Sequence, residues 1–412
     1  MSWTAYLCRT MTGEVIMPLD LSAGSMQHTL NGVGEWSVTC AADTVLARPV
    51  RDWYPWAASI LIMHKADSMH NAWVPVMLGP VTAMPVMARA AGGQAADTMT
   101  LSGHDIRAIL QRRLQTGWRD WPRPQGTWQL QHESLRVTGM SLGTIAEKLV
   151  AIATERRFGG ALPIRYRRDL WQAGLPTDEG HTREYFAWNL TNNSIDKLLT
   201  DLSECEGGPD IVFRPGVETD ERNNPTKAFV TMLHGKEGQP QVPMSGHPPL
   251  WDLTAPEGPV SSVATTWDAS HIYTRRWATG DGMEADILMD VRDSPDMQSL
   301  GMPLMEDVTG YSSIVTHGAL LHHVDALVAQ GRRPSCQWTV TAQQDMWPCR
   351  IDSDWYLGDR VRLRVPWELP RGDFAAVASK LVRMDGGEVL ATVMGMKCDF
   401  SSEQATIDLQ ED

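Results

Sequence analysis

His317, His322 and His323 fall within one short stretch, and histidines grouped in this way could bind a metal. A zincin-type site needs two histidines four residues apart on one helical face, with a glutamate beside the first. Here Gly318 follows His317, and offsets of five and six turn the side chains to different faces of a helix. Structural or surface histidines are therefore expected. Six cysteines, Cys8, Cys40, Cys205, Cys336, Cys349 and Cys398, lie far apart with no C-x2-C spacing. A zinc knuckle or redox dithiol is unsupported by that pattern. They read as small, buried, reduced thiols, with Cys336–Cys349, across one hairpin, the single pairing worth testing.

Other groupings dissolve in the same way. Gly280-Asp281-Gly282 lacks the G-x-x-x-x-G-K pattern that cradles phosphates and reads as a tight turn between strands. Ser102-Gly103-His104-Asp105 contains triad residue types, but side chains this close in sequence cannot form a triad. The G-x-S-x-G elbow is absent, and a helix start explains the Ser and Asp. Acid–base work by Glu204/Glu206 or Asp352/Asp354 would need environments that split their pKa values, which spacing does not show. Seventeen tryptophans are the most unusual feature. Exposed, they could stack on sugars; buried, they would staple small β domains and oligomer interfaces. Their spread along the whole chain favours packing. No catalytic, cofactor-binding or metal-binding residue is assigned, no cofactor is implied, and no enzyme activity is expected.

The elements that would carry these residues are mostly strands. Residues 1–115 read as a first β domain. Trp3 to Arg9 pairs with Val15 to Leu19 around Thr12-Gly13, and Met26 to Leu30 pairs with Glu35 to Cys40 around Asn31-Gly32-Val33-Gly34. Ser59 to His64, Trp73 to Leu78 and Thr98 to Leu101 follow, then a helix opening at Ser102–Asp105 with Ile106, Ile109, Leu110 and Leu114 on one face. Residues 116–205 read as a mixed α/β insertion. It begins with the Trp- and Pro-rich stretch 116–130 and continues with helices started by Thr144-Ile145-Ala146-Glu147, at capping-box spacing, and by Asn193-Ser194. Residues 206–245 and 333–405 read as a second β domain, with Gln337 to Thr341, Arg360 to Val365, Phe374 to Met384 and Glu388 to Cys398 as a meander. Residues 246–332 read as an inserted α/β domain whose helix runs from about His317 to Ala329.

Bulk properties agree with a multidomain globular chain. Its 412 residues suggest two to four domains, and 42% hydrophobic with 21% charged content argues against disorder. The longest apolar run, Trp56 to Met63, is strand length, so no membrane span is expected. The first residues lack a basic region followed by an apolar core, so the chain is expected to be made and folded in a cytosol. Fifty acidic residues against 36 basic give a net charge of −14, the wrong sign for gripping nucleic-acid phosphates.

Several stretches resemble the minor tail or hub proteins of long-tailed phages of actinobacteria. Met77-Leu78-Gly79-Pro80-Val81 followed by Thr98 to Asp105, and continued by Arg112-Arg113-Leu114, is similar to their strand, S-G-x-D and helix element. Glu206 to Pro215 resembles the entry into their second core domain. Ala278 to Gly282, Leu300 to Glu306 and Leu357 to Leu363 follow in the family's order. The resemblance implies an α+β, predominantly β fold with two tube-like β-barrel domains and mixed α/β insertions, assembled as a homotrimer into a pseudo-six-fold ring. It further implies a place at the virion tail tip, after synthesis in the host cytoplasm. Partners would be the distal tail protein and tail tube ring, the tape-measure protein, and other minor tail proteins or fibres. DNA would only pass through, repelled by an acidic lumen. Two other functions remain open: a carbohydrate-binding tail-tip adhesin using Trp118 or Trp121, and a cell-wall hydrolase, for which no nucleophile or metal set is visible.

Overall fold

The computed structural model describes residues 2–67, 72–84, 98–116, 130–155, 159–166, 180–205, 207–235, 239–242, 247–295, 299, 301–331, 335–365 and 387–411. The N-terminal strands are β1 (Trp3–Arg9), β2 (Val15–Leu19), β3 (Leu21–Thr29), β4 (Glu35–Ala41), β5 (Ala58–Asp67), β6 (Ala72–Ala83) and β7 (Thr98–His104). The middle of the chain supplies β8 (Ser134–Met140), β9 (Ile164–Tyr166), β10 (His181–Phe186), β11 (Ile211–Thr219) and β12 (Pro225–His234). Then come β13 (Leu250–Asp252), β14 (Val260–Asp268), β15 (Arg275–Thr279), β16 (Met289–Asp293), β17 (Glu306–Gly310), β18 (Ser335–Gln343), β19 (Arg360–Val365), β20 (Gly387–Asp399) and β21 (Gln404–Glu411).

Thirteen of these strands hydrogen-bond into one sheet, in the order β14-β18-β21-β20-β3-β4-β7-β6-β5-β1-β2, with β19 beside β20 and β13 beside β19. The N-terminal and C-terminal strands meet where Ser25–Thr29 of β3 runs antiparallel to Gly395–Asp399 of β20. The fold is thus α+β and predominantly β, as expected. Closed barrels are not formed among the described residues. Closure needs a last strand to pair with a first, and here β20 occupies the free edge of β3 while β2 and β14 end the sheet.

The longest apolar run explains itself in this arrangement. Ile60 and Ile62 of β5 face one core, together with Leu7 and Met77, while Leu61 and Met63 face a second core, together with Cys8 and Leu78. A strand buried on both faces has no polar alternation to show. On the second side lie the helices Leu142–Glu155 and Ile195–Ser203, through Ile145, Leu149, Leu198 and Leu202. Gly13, at φ 73°, lets this layer close up: a Cβ there would lie 1.8 Å from the Ala228 carbonyl oxygen of β12.

Several boundaries move. β11 and β12 pair with each other and with β9, not with strands of 333–405. Their residues Ile211, Phe213, Val230 and Met232 fill the helical core of the middle unit. β13 and β14, expected in the inserted domain 246–332, join the large sheet. The inserted unit is therefore the sheet β16-β15-β17 on the helix His317–Gln330. The helix after Ser102 is one turn, Arg107–Leu110, because β7 runs on to His104. The cap of the Leu142–Glu155 helix is Ser141, whose Oγ accepts from Thr144 N at 3.2 Å, three residues before the expected Thr144. The 194 cap is as read, with Ser194 accepting from Lys197 N. The Trp-rich stretch from 117 to 129 and the strand Phe374 to Met384 lie outside the described residues. Among the described residues no helix is long and apolar enough to cross a membrane.

Candidate functional site

Where the two ends of the chain meet the middle unit, a polar seam crosses an otherwise apolar interior. Arg214 of β11 donates from Nε to Asp352 Oδ1 at 2.6 Å and from Nη2 to the Asp352 carbonyl at 3.0 Å, with its guanidinium 5.1 Å from the Tyr356 ring centre. Tyr356, fully buried, donates to the Val76 carbonyl at 3.0 Å and sits 3.5 Å from His28 Nδ1. His28 Nε2 faces Asp105 Oδ2 at 2.8 Å, and the same oxygen accepts from Gly34 N. Asp359 accepts from Tyr356 N at 2.8 Å. Burial pushes both Asp352 and Asp359 up to about 6, partly countered by Arg214. The seam binds β3, β6, β11 and the loop before β19 into one body. Its groups satisfy one another, which is structural work.

A second place has the types of a catalytic site. A cleft of about 560 Å³ lies at the start of the His317–Gln330 helix, lined by Arg183, Cys205, Thr316, Ala319, His322 and His323. Cys205 Sγ is 3.2 Å from His323 Nε2 and accepts from Arg183 Nη2 at 3.6 Å. Contact of this kind could pair a nucleophile with a base. Burial decides against it: the Cys205 thiol is pushed up despite Arg183, and His323 is drawn down to about 4 by burial, with Arg183 and His322 adding to it. At neutral pH the pair is a thiol beside a neutral imidazole, not a thiolate and an imidazolium.

The residues singled out in the sequence scatter. His317 pairs with Asp290 at 3.3 Å, His322 lines the cleft, and His323 packs against Tyr311 with the rings tilted by 37°. Asp105 turns to His28, while the His104 carbonyl accepts from Trp36 Nε1, so no triad forms. Asp352 and Asp354 part company, to Arg214 and to Arg350. Glu204 is pushed up by burial and by Asp201, and Glu206 lies outside the described residues. Gly280-Asp281-Gly282 is a turn, with Asp281 N donating to the Ile314 carbonyl. Cys8, Cys40, Cys205, Cys349 and Cys398 are buried free thiols, so Cys349 is not in the bridge to Cys336 considered above. Trp3, Trp36, Trp251, Trp338 and Trp355 are buried, whereas Trp188 and Trp347 are exposed. Among the described residues no group of three or more His, Cys, Asp or Glu could hold a metal. Sequence reasoning missed the seam; its one signal was a lone arginine inside the apolar strand Ile211-Val212-Phe213-Arg214.

The seam and the cleft are held within a fold that has counterparts among solved structures. A tail protein from Neisseria meningitidis MC58 superposes with a TM-score of 0.52 at 13% identity, over 100% of this chain and 97% of that one. The chain shares its fold with a tail protein. A 43 kDa tail protein of prophage MuSo2 from Shewanella oneidensis superposes at 0.50 and 9% identity, over 99% and 98% of the two chains. No family model matches the sequence, and no curated protein does. Each superposition takes in nearly the whole of this chain.

Proposed function

We propose that the chain is a structural component of a phage tail, a homotrimeric hub at the distal tail tip of a long-tailed actinobacterial phage, and not an enzyme. The observation that carries this reading is the end-to-end likeness of fold to two tail proteins, with nearly the whole of each chain included. Three copies, each offering two β regions, would present a pseudo-six-fold ring to the tail tube. Such a hub would contact the distal tail protein and tube ring, the tape-measure protein and other minor tail proteins or fibres. The net charge of −14 supports a bore through which DNA slides without specific binding. Among the described residues β14 and β2, the latter carrying Pro18, end the sheet's main path and are natural places for sheet contact between copies.

Glycan binding is the competing function. The residues read for it, Trp118 and Trp121, lie outside the described residues; among the described ones Trp188, which stacks on Phe186 at 5.8 Å, and Trp347, 72% exposed, are open to solvent. These sit on separate elements and build no shared platform. Native mass measurement of the purified protein is the test of the oligomer: a mass of three chains is expected, and a monomer at micromolar concentration removes the ring.

A further inference from the structure

The inserted sheet β16-β15-β17 buries only one face. Ala278 packs with Tyr311, Ile314, Leu320, Val324 and Leu327 beneath it. Register fixes what the other face shows. Asp293, Arg275 and Glu306 form one rank, Val291, Trp277 and Val308 the next, and Met289, Thr279 and Gly310 the third. A sheet with one face in water should carry polar residues there. Here the central rank is apolar, with Val308 62% exposed; Met289 of the third rank is 49% exposed, and the connections add Met283 at 78% and Leu304 at 53%. The Trp277 indole donates to Glu306 Oε1 at 3.0 Å, which fixes the ring in place before any partner arrives.

The rim carries the other half of the recognition. Arg275, the basic residue of the exposed ranks, is already taken by Asp293 and Glu306. Asp281, Glu284 and Asp286 add three acids in the β15–β16 connection, which carries no basic residue of its own between Gly280 and Leu288. An apolar rank inside an acidic rim fits a partner of opposite charge. A second copy would bring the same acidic rim to this face, on a chain of charge −14.

We propose that this face docks an apolar segment flanked by lysines or arginines, supplied by a different protein of the particle. The inference rests on reading the chain as a tail component. A photo-crosslinking amino acid placed at Val308, and separately at Met283, in assembled particles tests it. The expected product joins the chain to a Lys- or Arg-rich segment of another virion polypeptide. Val308→Lys, an exposed position that leaves the helix side untouched, should cut the yield from position 283 by about tenfold or more. Products joining only copies of this chain, products with acidic segments, or no product from particles that contain the chain would overturn the docking face and leave the tail reading standing. Particles lacking the chain altogether would overturn the tail reading itself.

Discussion

Asp359 shows what single residues contribute. Its carboxylate is buried at the seam and titrates at about 6, against about 3.9 in an unfolded chain. Between about pH 4 and about pH 6 the folded protein therefore holds a proton that the unfolded chain has released. Stability from this group is fully present below about pH 4 and is lost as pH rises through about 6. Asp359→Asn keeps an oxygen for Tyr356 N and cannot ionise. It should raise stability at about pH 7 by roughly 3 kcal/mol, with the gain vanishing near pH 4. Thermal unfolding across that range checks it, and a gain that grows toward acid would refute the assignment. Little of this was legible beforehand. Asp352 and Asp354 looked like a pair because they are two apart, yet the left-handed backbone at Asp352, φ 59°, sends them to different arginines. The histidines could be read, because helical geometry alone keeps His317 from His322 and His323.

Elements were legible where local sequence decides them. The β1–β2 hairpin, the Ser194 cap and the Thr316-capped helix follow from turn and capping chemistry within a few residues. Pairings between distant strands were not, because nothing in Ser25–Thr29 announces Gly395–Asp399 as its neighbour. Membership of β11 and β12 failed for the same reason: both read as strands, and only the helical core at Phe213 and Met232 says which sheet they join. That junction gives an element-level prediction. Met396→Pro removes a ladder donor between β3 and β21 and should cost about 3 kcal/mol or more. Hydrogen exchange should speed up at Ser25–Thr29, at the far end of the chain. Unchanged protection in β3, with loosening confined to β20 and β21, would break the continuous sheet.

For the molecule as a whole, composition and periodicity pointed to a large β-rich chain, and the short motifs pointed to tails. The barrels were over-read: among the described residues β2 and β14 do not pair with each other, and the sheet stays open. An open sheet suits a part completed by assembly, and the apolar face around Val308 points the same way. The direct test is a cryo-EM reconstruction of the phage particle that encodes this chain. It should place three copies around the tail axis at the tip, their sheets meeting edge to edge around an open bore. Density for the chain in the capsid, off the axis, or nowhere in the particle would contradict the account.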